Sequence, residues 1–167
     1  MQITCQAERP MHCSAAAAFV LLTDHQRFPM VFTGYGPIAA IRSVSLEAPL
    51  AIGAIRRVHN ADGSTLSETI TALEPPRHHA YVLSGFRPPF SWLVRRGEAD
   101  WLVTAGAATT FVRWDYVFTL TSAVIYPLAA PLLRVFMTGA MRRCLDNMAQ
   151  LLEAAADGTA APRTGNA

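Results

Sequence analysis

The sequence predicts an α+β fold: seven antiparallel strands, two short helices after the first of them, and a long helix that closes the chain. Three observations lead there. Between residues 53 and 120 apolar and polar residues alternate, the period of a half-buried strand. Turn chemistry at Asp62-Gly63, Pro75-Pro76 and Gly106 interrupts that stretch at hairpin spacing. Beyond it the period changes. Leu133, Met137, Met141, Leu145 (with Cys144), Met148 and Leu152 recur three or four residues apart, marking one face of a helix.

In chain order, Ile3 to Arg9 reads as the first strand. Ser14 can cap a helix running from Ala15 to Leu22, because its hydroxyl accepts an unpaired N–H of the first turn. A second short helix is expected around His25 to Met30, interrupted by Pro29, followed by a glycine-rich turn at Gly34 and Gly36. Ile38 to Leu46 is strand two, and the hairpin 53–72 supplies strands three and four. With Asp62 at its apex, Val58 pairs with Leu66 and Arg56 with Glu68. Alternation then places Arg56, Val58, Leu66, Glu68, Ile70 and Ala72 on one face. An ion pair among Val, Leu and Ile has two readings: a pin for hairpin register, or the polar end of a binding cavity.

The turn at Glu74-Pro75-Pro76-Arg77 sets Ile70 opposite Tyr81 and Glu68 opposite Leu83, so Tyr81 and Leu83 also point inward. A long connection, Gly85 to Trp92, carries three aromatic residues and two prolines and reads as a lid or a stiffened surface loop. Strands six (Glu98–Thr104) and seven (Thr109–Leu120) follow, with Trp101 expected opposite Val112 and Ala99 opposite Trp114. Trp101, Val103, Val112, Trp114, Tyr116 and Phe118 share the inner face, leaving Glu98, Asp100, Arg113 and Asp115 outside. The last helix is expected from about Leu128 to Ala155. Residues 1–156 form one domain, and 157–167, small, polar and rich in breakers, are expected to be a disordered tail.

Composition narrows the function. The chain is 51% hydrophobic and only 16% charged, which suits a domain that lines an internal cavity as well as filling a core. Its net charge of +2 comes from scattered arginines, so no basic stripe for nucleic acid forms. Cys5, Cys13 and Cys144 fit no metal spacing and read as reduced thiols in a cytoplasmic protein. His78 and His79 are adjacent on a strand and point to opposite faces, so they cannot share a metal; neither metal nor cofactor is expected. Leu120 to Met141 is long enough to imitate a membrane span, yet Pro127, Pro131 and Arg134 argue for a turn and a buried helix. A peripheral contact with a bilayer stays open.

The order of elements, together with Asp24…Phe28-Pro29, Gly53-x-x-Arg56-x-Val58, Gly63…Leu66-x-Glu68, Pro75-Pro76-Arg77…Tyr81 and Thr110-x-Val112-x-Trp114, resembles the START-like helix-grip superfamily (SRPBCC), polyketide cyclase/dehydrase branch. The resemblance spans Ile3 to Glu153. Many members carry a Trp after the Phe-Pro stretch; here Met30-Val31-Phe32 stands instead. The resemblance implies a curved sheet gripping the long helix around a deep cavity. It also implies either a cofactor-independent cyclase or dehydratase, or a non-catalytic carrier of a lipid or hydrophobic metabolite. The candidates for acid–base and oxygen-binding work are Glu68, Arg56 and Tyr81. Candidate ligand contacts are Trp101, Trp114, Tyr116, Leu66, Ile70, Leu83, Val112, Phe118, Met137 and Met141. The expected partner is a hydrophobic small molecule, with monomer and homodimer both open.

Overall fold

Alternation and turn chemistry resolve into a single antiparallel sheet in the computed structural model, which describes residues 1–160. The elements are β1 (Gln2–Met11), α1 (Ala15–Thr23), α2 (Phe28–Val31), β2 (Ile41–Leu46), β3 (Ile55–Asn60), β4 (Thr65–Glu74), β5 (His78–Ser84), a one-turn α3 (Phe90–Leu93), β6 (Val94–Ala105) and β7 (Thr110–Leu120). A closing helix follows in three parts: α4 (Tyr126–Leu132), a wide π turn (Leu133–Met137) and α5 (Thr138–Ala160). The sheet order is β1-β7-β6-β5-β4-β3-β2. The helix-grip α+β fold is therefore as the sequence predicts.

Local chemistry explains most boundaries. Ser14 Oγ accepts the Ala17 N–H at 3.1 Å and starts α1. Pro29 does not interrupt α2: it sits in the first turn, where its missing N–H needs no partner. Strand two begins at Ile41 rather than Ile38, because Tyr35 and Ile38 exchange backbone hydrogen bonds of 2.9 and 3.0 Å across a tight turn. Gly34 and Gly36, at φ +74° and +55°, make that turn possible. The closing helix starts at Tyr126, with Pro127 in its first turn, and Pro131 inside α4 precedes the π turn. Its last turn reaches Ala160, into the segment read as a tail; residues 161–167 of that segment lie outside the described residues.

The helix packs on β1, α1 and α2. Arg9 of β1 pairs with Asp146 of α5, tying the sheet edge to the helix. The core lies between the inner face of the sheet and the buried stripe Leu133, Met137, Met141, Leu145, Met148 and Leu152.

A buried polar cluster on the inner face

Turn chemistry at the β3–β4 hairpin sets the site. Gly63 takes φ +82°, and Asp62 Oδ1 accepts both the Ser64 N–H and hydroxyl, at 2.9 and 2.7 Å. Those two bonds hold the Asp62 carboxyl below its usual range. With the turn fixed, the ladder pairs Val58 with Leu66 and Arg56 with Glu68, the register read from the sequence. Arg56 Nη2 donates to Glu68 Oε2 at 2.7 Å, and both residues are buried, at 4% and 5% exposure.

One strand further in, Glu68 faces Leu83 and Ile70 faces Tyr81, again as expected. A bulge between Ile70 and Ala72 then reverses the alternation. Ala72 pairs with Ala80, and Leu73, not Ala72, stands opposite the inward His79. His79 is fully buried and joins the ion pair: its Nε2 lies 3.3 Å from Arg56 Nη2. A guanidinium has no lone pair to offer, so Nε2 is the acceptor and the ring proton sits on Nδ1. That proton is donated to the Ala72 carbonyl at 3.3 Å. The Arg56 guanidinium also covers the Tyr81 ring, 5.3 Å from its centroid, and the His79 ring lies 5.4 Å from it.

Burial dominates the electrostatics. It pushes the Glu68 carboxyl up, although Arg56 pulls it down through both charge and hydrogen bond. Burial, then the Arg56 charge, depresses His79 to about 3, in agreement with its neutral tautomer. The Tyr81 hydroxyl is pushed above its ordinary value by burial and by the Glu68 charge. The cluster therefore gathers a guanidinium, a neutral imidazole and a protonated phenol around the Glu68 carboxyl group. Arg56 Nε is buried and has no hydrogen-bond partner.

Next to this cluster stands an aromatic wall. Trp101 pairs with Trp114 across β6–β7, Ala99 with Tyr116 and Val103 with Val112. The register is thus two residues from the sequence expectation, because the turn spans Gly106 to Thr109; a two-residue shift leaves every side chain on its expected face. The Trp101 and Trp114 rings stack at 4.0 Å and those of Tyr116 and Phe118 at 4.5 Å. Phe28 of α2 and Phe32 just after it meet the two tryptophans edge-on, and Phe90 of α3 meets Phe118. Phe86 packs on Phe90, so the long connection folds its aromatics inward, except for Trp92, which is exposed. Gly97 and Ala99 are the small inward residues of β6. A Cβ on Gly97 would fall 2.8 Å from the Tyr116 ring, so glycine there lets Tyr116 lean over the strand.

The candidate residues divide accordingly. Arg56, Glu68 and Tyr81 come together, and Tyr116 is close enough for its hydroxyl to be raised by Tyr81 and Glu68 as well as by burial. Ile70 and Leu83 lie in adjoining positions, and Leu66 is half-buried beside Val58. Trp101, Trp114 and Phe118 form the wall, with Met137 and Met141 buried on the helix. Val112 pairs with Val103, beyond the tryptophans and away from Arg56. Cys144 of α5 is fully buried in the same core as Tyr81. His79 is the member that alternation alone had assigned no role; its shared parity with Tyr81 and Leu83 was the available signal. His78 faces outward to Asp100 at 3.0 Å. Among the described residues, no group of three or more His, Cys, Asp or Glu is arranged to hold a metal.

Two surface depressions lie elsewhere. One, of about 510 Å³, is bounded by Cys13, Ala17, Val20, Arg27 and Leu152; the other, of about 580 Å³, by Glu74, Arg77, His78 and Leu102. Neither includes Arg56, Glu68 or Tyr81. The polar cluster, which combines unlike charges with an unpaired donor, is the better candidate on chemical grounds.

Solved structures of similar fold include aromatase/cyclases. The Zhui aromatase/cyclase from Streptomyces superposes with a TM-score of 0.75 at 14% identity, covering 96% of this chain and 99% of that one. The di-domain aromatase/cyclase StfQ of the steffimycin biosynthetic pathway gives 0.74 at 13% identity, covering 94% of this chain and 53% of that one. This chain thus spans about half the length of the di-domain protein. Norcoclaurine synthase from Thalictrum flavum gives 0.67 at 12% identity, covering 90% of this chain and 93% of that one. At these identities the likeness is one of fold. No curated protein matches the sequence significantly. The profile of a family described as polyketide cyclase / dehydrase and lipid transport matches residues 2–153, and the chain belongs to that family.

Proposed function

We propose that this protein binds a hydrophobic or aromatic, polyketide-like molecule against the inner face of the sheet. There it promotes cyclisation or dehydration without a cofactor. The observation that carries this reading is Arg56, buried, paired on one side with Glu68 and His79, with its Nε–H unpaired. A structural pin alone leaves that donor uncompensated, at a cost of ~1–3 kcal/mol. A ligand carbonyl or enolate oxygen on Arg56 would remove the cost and place developing negative charge beside a fixed cation. Glu68, with its raised pKa, is suited to take a proton from carbon next to that carbonyl. Tyr81, protonated beneath the guanidinium, is suited to return one to an alkoxide or to a departing hydroxyl, which leaves as water. The Trp and Tyr rings provide stacking faces for the rest of the molecule.

Glu68→Gln tests the catalytic part. It preserves shape and a hydrogen bond to Arg56 while removing the base. The chain should still fold and bind, though less stably because Arg56 loses its counter-charge, while turnover of a polyketide-like substrate falls at least ~100-fold. The alternative is a carrier of a lipid or hydrophobic metabolite, favoured by how thoroughly the aromatic rings pack on one another. A carrier would show the same loss of stability and a changed affinity, with no turnover to lose. Native mass spectrometry of gently purified protein, followed by organic extraction, separates the two at the outset: a stoichiometric fatty acid or phospholipid favours the carrier.

A further inference from the structure

The outward side of the closing helix breaks the usual rule for a surface helix. Ala129, Ala130, Leu133 and Met137 face the core, which should leave a polar exterior. Instead Pro127, Leu128, Pro131, Leu132 and Val135 face solvent, continuing from Val124 just before the helix. Val124 is 87% exposed, Leu128 60% and Val135 59%. Trp92, 68% exposed, is held beside the start of this stripe: its carbonyl accepts the Thr121 hydroxyl at 2.7 Å. Scattered apolar residues on a surface need no account, but a contiguous stripe with a tryptophan at its end does.

Charge identifies what covers it. Residues 116–145 and 75–97, which carry the stripe and Trp92, contain no Asp or Glu. Arg95 is tied to the stripe by a bond to the Thr121 carbonyl, and Arg134 by a bond to the Tyr126 hydroxyl, both 3.4 Å. Neither arginine forms a salt bridge among the described residues, so both charges stand beside apolar surface without a carboxylate. We propose that this face, α4 with its π turn and Trp92, docks the protein onto an anionic lipid bilayer, lying in the interface rather than crossing it. An apolar face with cations at its margin and an aromatic ring at headgroup depth is what such a surface selects. No described helix is long and apolar enough to span. A second copy is the less favourable occupant, since a two-fold contact over this stripe would set the same unpaired arginines close to their counterparts. The inference does not depend on the chemistry proposed for Arg56.

Co-sedimentation of the full chain with phosphatidylcholine vesicles, with and without phosphatidylglycerol, tests it. Binding should require the anionic lipid, weaken with salt, and shift Trp92 emission to the blue. Trp101 and Trp114, already buried, should contribute little to the shift. Leu128→Ser combined with Val135→Ser should lower partitioning at least about tenfold while the melting temperature holds. If that variant melts early, Arg95→Gln with Arg134→Gln carries the test and should abolish the preference for phosphatidylglycerol. Failure of the wild-type chain to bind either vesicle, or binding indifferent to lipid charge and to these substitutions, overturns the proposal. So does a dimer in light scattering that the Leu128/Val135 substitutions dissociate, which would assign the face to a second copy.

Discussion

The inner face of the sheet has two halves that fill space by opposite means. On β3, β4 and β5 it buries a cation, a carboxylate, an imidazole and a phenol within hydrogen-bonding or ring contact of one another. On β6 and β7 it buries stacked aromatic rings over Gly97 and Ala99. The aromatic half gains from burial directly. The polar half must first recover the desolvation of its charges, and it does so only while every member keeps its partner. The difference locates where the fold is tolerant and where it is brittle.

The sharpest way to break the comparison is Arg56→Met. It strands Glu68 in an apolar site and should cost ~3–5 kcal/mol in urea unfolding, whereas adding Glu68→Leu should restore most of the loss. A double variant no more stable than the single one would mean that the pair itself, rather than the stranded charge, holds the hairpin.

A smaller effect belongs to the aromatic half. Gly97→Ala forces a Cβ within 2.8 Å of the Tyr116 ring and should cost ~1–3 kcal/mol. Combining it with Tyr116→Leu should reduce that penalty, and additive losses in chemical denaturation would contradict the steric account.

The gentlest test is pH. His79 has a folded pKa of about 3 against 6.5 when free. Between those values the unfolded chain binds the extra proton, so stability falls as the medium is acidified from pH 6.5 toward 3. The slope from this group approaches ~1.4 kcal/mol per pH unit at the middle of that window. Glu68, raised by burial, has the opposite sign: the folded chain holds its proton longer, so its contribution to stability declines as pH rises above 4.5. His79→Gln should therefore flatten, or reverse, the wild-type dependence between pH 6.5 and 4. An unchanged slope would place the acid sensitivity outside the cluster.

How much of this was legible depended on whether a turn announced itself. Asp62-Gly63 and Pro75-Pro76 did, and the Arg56–Glu68, Glu68–Leu83 and Ile70–Tyr81 pairings followed from them. Ala105-Gly106-Ala107-Ala108 did not define its own apex, and the β6–β7 register was displaced by two, a shift invisible to face assignment. The bulge near Thr71 has no sequence signature, since Ile-Thr-Ala reads as ordinary alternation. It nonetheless decides which carbonyl faces His79 and which residue lies opposite it. The site was thus readable as a pair and unreadable as a cluster.

Cys144 gives the grip of helix on sheet a chemical clock. It is fully buried on α5 and has its thiol pushed up by burial, so it is inert while the helix stays seated. Cys13, only partly buried, marks the faster background. The rate at which a thiol reagent reaches Cys144 therefore counts openings of the helix from the sheet. A molecule held between them would slow that count whether or not it is ever turned over.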